Sequence, residues 1–180
     1  MFALVLLFLL NARADFVAQI DTKGVLEKLA KEGMCHDSAS ARVCRQLHWV
    51  PTKDEGVVNH SGAAYVFMKL SNFESAYPGS NWKEKVPTEK AYQYYSFLLA
   101  ARRSFAAALI SSNLPIVYIF FLEGEGDQYK PKSIFLAASQ DLLSFAINHE
   151  ESIQKDMAKP ISEWIPPDDF EKTFQFKLIE

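Results

Sequence analysis

Ile116-Val117-Tyr118-Ile119-Phe120-Phe121-Leu122 is a continuous apolar run rich in aromatic and β-branched side chains. Asn113-Leu114-Pro115 precedes it and Glu123-Gly124-Glu125-Gly126-Asp127 follows it, so turn formers bound it on both sides. A run this short, without polar alternation, fits a central β-strand covered on both faces. The segments around it then fall into place. Ser133–Ala138 returns as a partner strand, which makes a hairpin with a long, charged tip.

Upstream, Thr88 can cap a helix that meets neither Gly nor Pro before Ser111 and carries an apolar stripe through Tyr95, Leu98, Phe105, Ala106 and Leu109. Before it, Ala64–Leu70 reads as a strand. Downstream, Asp141 caps a long helix with Leu142, Phe145, Ala146, His149, Ile153 and Met157 on one side, and Pro160 ends it. In the tail, Phe174, Phe176 and Leu178 alternate with polar residues, the signature of a strand with one buried face. From residue 64 onward the order is strand, helix, strand, strand, helix, strand. This predicts an α+β fold: a split βαβ arrangement (βαββαβ) in which helices pack on one face of an antiparallel sheet. N-terminal helices at Asp21–Gly33 and 38–47, with a short strand at 47–51, are expected to cover the other face or extend an edge.

The chain opens MFALVLLFLLNARAD. As a helix, the apolar stretch Phe2–Leu10 is roughly 14 Å long, about half a bilayer's hydrocarbon thickness, so it cannot span a membrane. Ala12 and Ala14 place small residues where a signal peptidase accepts them. The expectation is a signal peptide over 1–14 and a single α+β domain over 15–180, delivered to the periplasm or secreted, with no stable membrane insertion once the leader is gone.

Cys35 and Cys44 are the only cysteines. In an oxidising compartment they are expected to pair. The pairing sets a structural condition, because an unbroken helix from 35 to 44 would hold their Cα atoms roughly 13 Å apart, too far for a disulfide. Gly33 can end one helix, and Asp37 or Ser38 can cap the next. His36 and His48 lie close enough in sequence to suggest metal, but the spacing matches no zinc pattern.

Net charge is −3, and Lys and Arg are dispersed along the chain, which argues against a nucleic-acid surface. No nucleophile elbow, zinc helix, phosphate loop or dinucleotide fingerprint occurs. Lys53-Asp54-Glu55-Gly56 reads as a polar turn, and His60 and Ser61 sit in a second turn-like stretch, Val58-Asn59-His60-Ser61-Gly62, where they could serve a hydrolase or ligand-binding enzyme only if folding brought a carboxylate to them. Arg102 and Arg103 read as residues that snorkel or pair with carboxylates. The expected function is therefore an exported, non-catalytic protein-binding module that needs no cofactor. One form of it is an inhibitor or immunity protein against a toxin or hydrolase in the same compartment. Tyr77 and Trp82, in the turn-rich 72–87 segment, and the acidic tip Glu123, Glu125 and Asp127 are the candidate contacts with that partner.

Overall fold

A computed structural model describes residues 20–47, 50–71, 93, 96, 102–124, 129–157, 159 and 167–179. The leader expected at 1–14 and the cap expected at Thr88, with His48, Trp49, Tyr77, Trp82, Glu125 and Asp127, lie outside the described residues. The described elements are α1 (Thr22–Glu32), α2 (Ser38–Cys44), β1 (Gly56–His60), β2 (Ala63–Lys69), α3 (Arg103–Ser111), β3 (Ile116–Glu123), β4 (Lys130–Ala138), α4 (Ser139–Asn148), α5 (Glu150–Met157), α6 (Phe170–Thr173) and β5 (Gln175–Leu178).

The five strands form one sheet in the order β1-β2-β3-β4-β5. The IVYIFFL run is its middle strand. Val117, Ile119 and Phe121 point into one core, and Phe120 and Leu122 into a second core on the opposite face. Against the larger core pack Val43 and Cys44 of α2, Phe105 and Leu109 of α3, Leu142 and Phe145 of α4, and Phe170 of α6. The smaller core takes Val25 of α1 and the preceding Ile20, set against Val58, Tyr65 and Phe67. Phe174 is buried, with Phe176 and Leu178 packed partly buried against the larger core, so the alternation in the tail marks its buried face.

The α+β class and the order of elements match the sequence reading, but the pairing does not follow the split arrangement. β2 and β3 are parallel and adjacent, whereas the other three pairings are antiparallel, so the sheet is mixed. The sheet also gains β1, in a stretch that the sequence reads as turn. This strand folds back on β2 through the two-residue Ser61-Gly62 turn, both with positive φ (50° and 78°), the geometry of a tight hairpin. With β1 on one side of β2 and β3 on the other, no edge remains for a strand to be inserted. The strand expected at 47–51 is absent from its described residues, Leu47, Val50 and Pro51. The two N-terminal helices divide between the faces instead of sharing one.

Two expected helices are interrupted without Gly or Pro. Arg102 is extended (ψ 115°) where the 88–111 pattern runs on, and its guanidinium donates to the Gln46 carbonyl at 3.0 Å. Arg42 of α2 reciprocates by donating to the Ser111 carbonyl at 2.7 Å, which satisfies an orphan acceptor at the end of α3. Arg103 pairs with Glu150 at 3.2 Å. The last long helix breaks at His149, whose ring lies 4.4 Å from that of Phe145 and whose Nε2 is 3.1 Å from Asp169 Oδ2.

Of the two caps that the sequence offers, Asp37 and Ser38, Asp37 begins α2. Its Oδ1 accepts from the Ala39 and Ser40 N–H groups, and its Oδ2 accepts from the Ser40 hydroxyl at 2.7 Å. Partial burial pushes this carboxyl up, but the hydrogen bonds from Ser40 and Ala39, with Lys28 nearby, outweigh it and hold it below its ordinary 3.8. Because the folded value lies below the unfolded one, the cap contributes fully above that value and is lost as pH falls through the folded pKa. Asp37→Ala is expected to cost about 1 kcal/mol at neutral pH. Asp37→Asn keeps the cap without the titration and should flatten the acid limb. Urea midpoints at neutral pH and in acid check both.

Candidate functional site

The α1–α2 connection is where the N-terminal segment, the edge of the sheet and two concave surfaces meet. Gly33, with φ of 80°, stops α1, and Cys35 turns the chain again with φ of 55°. The Cys35 N–H then donates to the Val57 carbonyl at 2.8 Å, and the Asn59 N–H donates to the Ser40 hydroxyl at 2.9 Å. These bonds occupy outward-facing groups of β1, an edge strand that would otherwise offer a template for pairing. Cys35 and Cys44 form the expected disulfide, with Cα atoms 6.1 Å apart. It ties the middle of this connection to the last residue of α2.

Gly56 sits directly beneath the bridge. Its φ is 142°, and a Cβ there would lie 2.5 Å from Cys35 Sγ and 3.2 Å from Met34 Cβ. Next to it, Glu55 is fully buried; its carboxylate accepts from the Thr52 hydroxyl and from the Lys69 N–H, both at 2.8 Å. Glu55 thereby extends the β1–β2 ladder by one side-chain rung past Gly56. Lys69 closes the same corner, with its ammonium 3.1 Å from Asp54 Oδ2 and 3.9 Å from the centre of the Tyr129 ring. No single segment signals this corner, because Glu55 and Lys69 meet only through β1–β2 pairing.

Two open cavities flank the bridge and share Met34 and Lys53. One, of about 540 Å³, lies on the α2 side between the cystine, Leu47 and the Val50-Pro51 segment. Val50 stands at its rim, 86 % exposed. The other, of about 770 Å³, runs between α1 and the sheet.

The residues weighed for catalysis are not brought together. His60 Nε2 lies 2.8 Å from Asp21 Oδ2, while the other oxygen of Asp21 accepts from the Gly24 N–H to cap α1. The Gly24 hydrogen bond, then that of His60, lowers the Asp21 pKa. His60 thus fastens the end of β1 to the start of α1. Ser61 occupies the hairpin turn, and among the described residues no histidine is hydrogen-bonded to it or to either cysteine. His149 is held on α6's flank by Asp169, far along the chain from both. Among the described residues no group of three or more potential metal ligands converges. Of the acidic tip, Glu123 is described: it is exposed at the end of β3, opposite Lys130 in the register. No described helix is long and apolar enough to cross a membrane. Comparison with known proteins matches no family model, no characterised protein and no solved structure.

Proposed function

We propose that the protein is an exported, non-catalytic protein-binding module, of the kind that inhibits or confers immunity to a toxin or hydrolase in the same compartment. The observation that carries this reading is the apolar surface around the cystine. It is concave, its backbone is fixed by the bridge and by the buried Glu55 carboxylate, and Val50 projects from its rim almost fully exposed. A largely apolar surface whose backbone is held in place loses little conformational entropy on binding. Export is supported by the leader and by the disulfide, which persists in oxidising compartments. The acidic tip that begins at Glu123, with Glu125 and Asp127, is a second contact for a basic patch on the partner.

The test is co-purification from the envelope or secreted fraction of the native host, with the protein's own N-terminus sequenced. The expected result is a chain beginning at Asp15 and a stoichiometric protein partner. Val50→Asp, an exposed substitution that leaves the melting temperature unchanged, should weaken partner binding at least tenfold. Recovery of no stoichiometric partner overturns the reading, and equal retention by Val50→Asp overturns the surface.

A further inference from the structure

The larger cavity is lined differently from the smaller one. Leu26, Leu29 and Ala30 of α1 form its wall, and Phe67, Leu122 and Pro131 form its floor on β2, β3 and β4. Leu26 remains 57 % exposed although it faces this apolar floor. At about 770 Å³ the cavity falls within the range of roughly 300–1,000 Å³ typical of small-ligand sites. Its shape follows from topology: α1 packs on β1, and the second face of the sheet continues past it through Phe67 and Leu122 to Pro131 of β4.

Four charged side chains reach this groove: Lys31, Glu32, Lys53 and Asp54. Both acids are already neutralised, Glu32 by Lys28 at 3.5 Å and Asp54 by Lys69 at 3.1 Å. Lys31 and Lys53 have no carboxylate partner among the described residues, and both are exposed. The mouth of an apolar trough therefore carries two uncompensated positive charges. A cation beside a low-dielectric wall attracts an anion more strongly than one in open water.

We infer that this groove binds a free long-chain carboxylate, its hydrocarbon chain lying on Phe67 and Leu122 against α1 and its head group meeting Lys31 and Lys53. Apolar burial supplies the affinity, at roughly 0.8 kcal/mol per buried methylene, and the two ammonium groups select the sign of the head. The groove shares only Met34 and Lys53 with the Val50 surface, and neither Lys31 nor Ala30 lines that surface, so failure at Lys31 or Ala30 is distinguishable from failure of the protein-binding reading.

Isothermal titration of the oxidised protein with dodecanoate, kept below its micelle concentration, tests it. The expected result is saturable one-to-one binding, at least tenfold tighter than for dodecylammonium. The exposed double substitution Lys31→Glu/Lys53→Glu should remove that preference, and Ala30→Trp, which fills the trough from an exposed position, should abolish binding with the thermal melt preserved. Absence of saturable dodecanoate binding overturns the inference. So does equal binding of both amphiphiles, which would mark a merely greasy surface. A dimer in light scattering that dissociates on Leu26→Glu would assign the groove to a second copy instead, and a protein partner that competes with dodecanoate would assign it to that partner.

Discussion

Gly56→Ala is expected to destabilise the protein by about 3–5 kcal/mol, combining the cost of a sparsely allowed backbone with that of overpacking. At φ of 142° only glycine is at ease, and the new methyl would fall 2.5 Å from Cys35 Sγ. Cys35 cannot give way easily. The sulfur is tethered to Cys44, and the Cys35 N–H is committed to the Val57 carbonyl. Gly62→Ala is the internal control: its φ is also positive, at 78°, but nothing lies within 4 Å of the added carbon. It should cost about 1–2 kcal/mol, the penalty of the left-handed conformation alone. Urea unfolding of the two variants measures both. Equal losses would mean that the cystine does not press on Gly56 in solution.

Removing the bridge is the second large effect. Cys35 and Cys44 are separated by nine positions, and closing a loop of that size is worth about 2–3 kcal/mol in the chain-entropy treatment. Cys35→Ser/Cys44→Ser should therefore lower the melting temperature by about 5–10 °C for a domain of this size. The loss should be concentrated at the sheet edge, because the 35–40 segment supplies the partners of Val57 and Asn59. Hydrogen exchange in β1 should rise more than in β3. Identical stability of the oxidised protein and the serine double variant would refute a structural role for the bridge. The two predictions are coupled: Gly56→Ala made together with Cys35→Ala/Cys44→Ala should cost less than in the oxidised protein, since the sulfur it meets is gone.

The candidate site was only partly legible in the sequence. The cystine was, because two cysteines with a helix stop before the first and a cap between them leave few alternatives. The pairing of Arg103 with a carboxylate was also anticipated. Glu55 was not. In Lys53-Asp54-Glu55-Gly56 it reads as one of several solvated turn charges, and its burial exists only because β1 pairs with β2 and brings the Lys69 N–H to it. The groove was invisible for the same reason, since its wall and floor come from α1, β2, β3 and β4. Sequence proximity pointed to His60 and Ser61 as a possible pair, yet the fold gives His60 to Asp21, a residue distant in the chain.

What the sequence determined by itself was local: where strands and helices of strong period lie, where Asp21, Asp37 and Gly33 start and stop them, and that IVYIFFL must be covered on both faces. Those signals act within a few residues, through side-chain period and backbone capping, and so survive without tertiary context. Tertiary structure alone decided the neighbour of each strand, the breaks at Arg102 and His149, and which charges are left without a partner. These depend on competition between segments far apart in the chain. In the fold, β1 takes one edge of β2 and β3 takes the other, so the sheet is sequential and mixed where a split, antiparallel one was expected.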